Sequence, residues 1–145
     1  MSFKGYVCEC GECILGSTQA KFSVYGAKTS YVLENRNAKT VSKLIVDDCV
    51  LSSVQGSEKC DYLFVHEGGG CFVELKGGDV LKAISQLNSS IAHLRNRIEG
   101  AVFARIICSN FKKAPDIKGG SAYRTLMKLT KSNLIIKSGL ITESV

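Results

Sequence analysis

"CDYLFVHEGGGCFVELKGGDV", residues 60–80, reads as two strands folded back on a glycine turn and stopped by a helix cap. "CDYLFV" (60–65) and "CFVELK" (71–76) carry the aromatic and β-branched residues of half-buried strands. "HEGGG" (66–70) supplies three glycines for a hairpin loop between them. "GGD" (77–79) ends the second strand and offers Asp79 as a helix N-cap. Side chains on a strand alternate faces, so Glu74 and Lys76 point the same way out of a run whose other residues call for cover. With the turn near 67–69, Asp61 falls roughly opposite Glu74 to Lys76.

Downstream of this hairpin the elements are legible. Val80, Ile84, Leu87, Ile91, Leu94 and Ile98 step by four and three, which predicts an amphipathic helix of about five turns ended by Gly100. "AVFARIICS" (101–109) predicts a buried strand, and Pro115 lies in the loop "FKKAPDIKGG". "SAYRTLMKLTK" (121–131) predicts a second helix with Arg124, Lys128 and Lys131 along one side, and "NLIIKSGLIT" (133–142) a last strand. Upstream the pattern is weaker. "TVSKLIVDDCVLSS" (40–53) predicts a strand pair or a strand with a turn, and "QGSEK" (55–59) a turn. In 17–36, Tyr31 to Glu34 allow a helix, although Gly26 interrupts the stretch. Mixed strands, hairpin, helix, strand, helix and strand give an α/β fold around a small central mixed sheet flanked by helices.

The chain has 145 residues, 45% of them hydrophobic and 22% charged, which suits one domain spanning 1–145. No apolar run approaches the ~18 residues of a membrane span, and "MSFKGYVCECGEC" lacks the apolar centre of a secretion signal. The expectation is a soluble cytoplasmic protein with reduced thiols, since seven cysteines is an odd number for a disulfide scaffold. Cys49, Cys71 and Cys108 lie in apolar runs and are expected as small core residues. Cys8, Cys10 and Cys13 form a polar cluster able to hold a soft metal such as zinc. A closed site needs a fourth ligand, however, and no second Cys or His pair follows at finger spacing, so a thiol-rich turn or strand is the expected form. The net charge is +6. It is uneven: residues 1–76 hold 8 basic and 9 acidic side chains, and residues 77–145 hold 11 and 4. A basic half suits a polyanion and an acidic cluster beside it a metal ion.

Two carboxylates converging on one patch repel each other unless a cation lies between them. Oxygen ligands suit a hard divalent ion, magnesium above all. A neighbouring lysine can orient a water or stabilise charge developing on a phosphate. With these parts in view, "CDYLFVHEGGGCFVELKGGDVLKAISQL" resembles the PD-(D/E)XK nuclease superfamily, the restriction-endonuclease-like fold. The resemblance covers residues 60–87. Asp61 matches the first acid of the motif and Glu74-Leu75-Lys76 its E-x-K. Cys60 stands where the family name has proline, and Pro115-Asp116 is a decoy because it follows the E-x-K.

The resemblance implies a Mg²⁺- or Mn²⁺-dependent nuclease with Asp61 and Glu74 as metal ligands and Lys76 as a catalytic group. By position it adds Gln86, on the helix after the E-x-K, to the catalytic set. It also adds a glutamate on an N-terminal helix to the metal ligands; Glu34 is the candidate, with Asp47 or Asp48 as substitutes. DNA is favoured over RNA from the resemblance. Lys112, Lys113, Lys118, Arg124, Lys128 and Lys131 are the candidate phosphate contacts, giving affinity without sequence readout. A small chain that cuts both strands of a duplex implies a homodimer or a larger partner supplying specificity. The competing reading is a catalytically silent nuclease-fold module that binds nucleic acid or a protein partner. A third is a metal-thiolate protein built on Cys8, Cys10 and Cys13.

Overall fold

The hairpin at 60–76 forms the middle of a six-stranded sheet in the computed structural model, which describes residues 8, 10–50, 58–109 and 117–145. Strands β5 (Tyr62–His66) and β6 (Gly69–Lys76) pair antiparallel from Tyr62↔Val73 to His66↔Gly69, leaving Glu67 and Gly68 as the turn. Gly69 has φ +140°, and a Cβ there would overlap the Ala101 carbonyl. Glycine therefore lets the hairpin close against the start of β7 (Ala101–Cys108). Helix α1 (Val80–Leu94) connects β6 to the parallel strand β7. Helix α2 (Ser121–Leu129) then leads to β8 (Leu134–Ser138), parallel to β7. On the other side β5 pairs antiparallel with β4 (Val41–Ile45), and β4 with the edge strand β1 (Ile14–Ser17).

Asp79 caps α1 as its sequence predicts, accepting from the Lys82 N–H at 3.0 Å. The helix buries Val80, Ile84, Leu87, Ile91 and Leu94 as one stripe. It is shorter than its periodicity suggests. The chain tightens into a 3₁₀ turn at Arg95–Arg97, and Ile98 is already extended, reaching over Gly70.

The helices cover one face only. Leu63, Val65 and Phe72 pack with α1 and with Leu126 of α2. Phe64, Cys71 and Val73, on the alternate positions, face a second sheet of three strands, β2 (Lys21–Gly26), β3 (Thr29–Glu34) and β9 (Leu140–Ser144). The molecule is thus α/β with a mixed central sheet, as expected, but its second face carries a sheet where a helical flank was expected.

Two upstream and downstream stretches account for that difference. Residues 21–34 form a hairpin and no helix: Phe22, Val24, Tyr31 and Leu33 alternate into the core. The stretch at 133–142 is two strands. The chain turns at Gly139, φ +80°, leaves β7 and joins β3 in the other sheet. Across this layer Tyr31 donates to Glu143 Oε2 at 2.7 Å, and Arg105 Nε donates to Glu143 Oε1 at 2.8 Å. Segment 40–50 is a strand with a turn: β4 runs into a single π-helical turn, Val46–Val50. No described helix is long and apolar enough to cross a membrane.

Candidate functional site

The β5–β6 register, carried one residue beyond Tyr62↔Val73, sets Asp61 opposite Glu74. Both side chains fall on the face that α1 covers, the face of Leu63 and Phe72. Asp61 Oδ2 accepts the Leu75 N–H at 2.9 Å, which fixes the first carboxylate beside the second. Glu74 is 2% exposed. Lys76 Nζ lies 3.9 Å from Glu74 Oε2 and donates to Gln86 Oε1 at 3.1 Å. Gln86 Nε2 in turn donates to the Lys59 carbonyl at 3.2 Å, which sets the orientation of the amide. The structure therefore brings Asp61, Glu74, Lys76 and Gln86 together. The helix supplies the last of them: its apolar stripe, Ile84 and Leu87 included, packs on the sheet, and half-buried Gln86 at the border of that stripe reaches Lys76.

Burial dominates the electrostatics. It pushes the Glu74 carboxyl up to about 8; the charge of Asp61 adds to the rise, and Lys76 opposes it. The Asp61 carboxyl is raised as well, by burial first, against the lowering effect of the Leu75 N–H. Two carboxyls on one buried patch, both raised chiefly by burial, are a pair that a cation would relieve. Glu74 Oε1 is buried and has no hydrogen-bond partner among the described residues. An orphaned carboxylate oxygen beside a second carboxylate is an all-oxygen donor set that fits a hard divalent cation.

The expected third acid is elsewhere. Glu34 ends β3 on the side turned away from the central sheet, and its carboxylate pairs with Arg36 at 2.9 Å. No N-terminal helix presents it among the described residues, and the β2–β3–β9 layer holds it on the face opposite Glu74. The additional carboxylate whose charge reaches both Asp61 and Glu74 is Asp47, exposed on the π-helical turn. Asp47 was a substitute candidate in the sequence, with nothing in the local pattern to rank it above Glu34. The side chain of its neighbour Asp48 lies outside the described residues.

Cys60, where the motif name has proline, has a specific place. Its backbone N–H donates to Ser90 Oγ at 2.7 Å, with both residues fully buried, tying the start of β5 to α1. Proline has no N–H to give, so cysteine here adds a hydrogen bond. Sequence reading missed Ser90 because it is a small polar residue on an apolar stripe.

The basic residues are divided. Arg124 and Lys128 lie four apart on the exposed side of α2. Lys118 is exposed on a 3₁₀ turn, Ile117–Gly119. Lys131 is not on the helical row: it follows the last turn with φ +50°. Lys112, Lys113, Pro115 and Asp116 lie outside the described residues. Of the cysteines, Cys71 and Cys108 are buried in the core as expected. Cys49 is buried too, but its sulfur faces Cys8, Cys10 and Cys13, and it is joined to Cys10 as a disulfide where a free thiol was expected.

No protein-family model, curated protein or solved structure matches this chain.

Proposed function

We propose that the chain is a metal-dependent nuclease of the PD-(D/E)XK type, hydrolysing phosphodiester bonds of nucleic acid, DNA in preference to RNA. The observation that carries this reading is the buried, unpartnered Glu74 oxygen beside Asp61, with Lys76 held next to both by Gln86. Asp61 and Glu74 would hold the ion, magnesium or manganese. When bound, such an ion polarises a phosphate and lowers the pKa of a coordinated water. Asp61 is fixed for this by the Leu75 N–H, which its Oδ2 accepts at 2.9 Å. Lys76 presents an ammonium with donors only, suited to orienting a water or to stabilising charge on a phosphate oxygen. Gln86 is a positioning residue, accepting one Lys76 proton and leaving the others for substrate.

The test is incubation of circular and linear DNA and RNA with magnesium, with manganese and with chelator. Metal-dependent cleavage by the wild type, absent from Asp61→Ala, is the expected result. Binding without cleavage under every metal would favour the silent module; neither binding nor cleavage would remove the reading altogether.

Arg124 and Lys128 extend it to affinity. Reversing both to glutamate is expected to weaken DNA binding and to lower the slope of log K against log salt by roughly 2, about one for each lost phosphate contact. Titration by fluorescence anisotropy over a salt series, in chelator, measures this. An unchanged slope would mean that α2 faces solvent or a protein.

A further inference from the structure

We propose that Cys8, Cys10, Cys13 and Cys49, once reduced, form a tetrathiolate site for one zinc ion that fastens the N-terminal segment to the end of β4. The four sulfur atoms all lie within 4.8 Å of one another. Three come from a single turn, with the spacing C-x-C-x₂-C; the fourth comes from the π-helical turn that follows β4. The pairing of β1 with β4 brings the two together.

The distances match a zinc centre. Zinc–sulfur bonds of about 2.3 Å in a tetrahedron set the sulfurs about 3.8 Å apart. Cys8 and Cys10 are separated by 3.7 Å, Cys13 and Cys49 by 3.7 Å, and Cys8 and Cys49 by 3.4 Å. The Cys10–Cys49 edge is closed by the disulfide. A disulfide accounts for two sulfurs, however, and leaves unexplained why Cys8 and Cys13 converge on the same point.

Backbone donors surround the cluster. Backbone N–H groups aim at three of the four sulfurs: Cys13 at Cys8 Sγ (3.2 Å), Cys10 at Cys49 Sγ (3.3 Å) and Ile45 at Cys13 Sγ (3.4 Å). Gly11, with φ +70°, makes the turn that folds Cys13 back over Cys8. An all-sulfur donor set selects zinc over magnesium or manganese. The need is local. β1 is an edge strand of four residues with Leu15 largely exposed, so apolar burial secures it weakly.

Loading balances simply. A phosphine reductant cleaves the Cys10–Cys49 bond, each sulfur gaining one electron and one proton, while the phosphine is oxidised and takes its oxygen from water. Zinc then displaces the protons of the four thiols into the buffer as four Zn–S bonds form.

The experiment uses the full chain, reduced with phosphine, freed of metal and then titrated with zinc. Alkylation followed by mass spectrometry reads each cysteine. Zinc at one per chain is expected to protect Cys8, Cys10, Cys13 and Cys49, and chelator to expose them again. Cys60, Cys71 and Cys108 should stay slow in both states because the fold buries them. Cobalt in place of zinc should give the visible absorption of a tetrahedral thiolate centre, lost in Cys49→Ser and kept in Cys60→Ser. Should a serine variant not fold, the wild-type protection pattern decides alone. Equal labelling of the four with and without zinc, or protection of Cys8, Cys10 and Cys13 without Cys49, would overturn the site. Magnesium in the same titration should protect none of them, which separates this centre from the carboxylate site.

Discussion

Glu74→Gln is expected to make the metal-free protein more stable at pH 8, by something on the order of 2 kcal/mol, while removing metal-dependent cleavage. In the folded protein the Glu74 carboxyl titrates near 8, well above its ordinary value of 4.5, because it is buried and next to Asp61. Between those two pH values the folded state holds a proton that the unfolded chain has released. Stability therefore falls as pH rises through this window. The full shift would correspond to roughly 1.4 kcal/mol per pH unit; Asp61 and Lys76 share the titration, hence the smaller figure. Glutamine carries no charge to desolvate, so this part of the pH dependence disappears. Thermal melts of both proteins in chelator at pH 5 and pH 8 measure the effect: the two should converge at pH 5 and separate at pH 8. Manganese at pH 8 should raise the melting temperature of the wild type and leave Glu74→Gln nearly unmoved, because a cation stabilises only the form that binds it. A variant less stable than wild type at pH 8, still stabilised by manganese, would show that Glu74 is a structural acid and not a ligand.

That an expensive group is kept in this position separates the site from an ordinary cross-strand ion pair. Exposed Glu–Lys pairs gain little and cost little. Here Glu74 is buried, one of its oxygens has no partner among the described residues, and its lysine lies at 3.9 Å, too far for a hydrogen bond, while one of that lysine's three donors goes to Gln86.

How far this was legible depends on sequence distance. Asp61, Glu74, Lys76 and Gln86 lie within 26 residues, in a hairpin and the helix that follows it. A two-residue turn fixes the strand register and the apolar stripe of α1 fixes the helix phase, so local rules suffice. The outer sheet is different. β3 pairs with β9, and Tyr31 reaches Glu143 across 112 positions, a contact no periodicity announces. Val32 and Leu33 suit a helix or a strand equally well until β9 arrives. Glu34 was misplaced for this reason, since its expected role depended on a helix that the β2–β3 hairpin replaces. Cys49 was misread by the same limit: in "IVDDCVL" it looks like a small core residue, and only the pairing of β1 with β4 shows the three sulfurs it faces.

The second large effect concerns Lys76. Lys76→Met keeps the length of the side chain and removes its charge, and single-turnover cleavage is expected to fall by ~10²-fold or more, the scale for losing a positioned electrostatic or proton-transfer group. Metal binding should survive, because an ammonium has no lone pair to offer a cation and its charge opposes one nearby. By the same argument the Glu74 carboxyl should titrate higher in the variant, since Lys76 is the group that holds it down. The pH at which manganese begins to bind should then move upward, a displacement that a residue of purely structural importance would not cause. Substrate affinity in chelator should change little, as one phosphate contact among several is lost. The measurements are cleavage at saturating enzyme and metal, and manganese calorimetry across pH 6 to 9. If Lys76 and Glu74 were only a surface pair, the substitution would cost ~0–1 kcal/mol of stability and leave turnover intact. A cleavage rate within about threefold of wild type would remove Lys76 from the chemistry, whereas a steep loss accompanied by the upward shift in metal binding would place its ammonium between the carboxylates and the phosphate they serve.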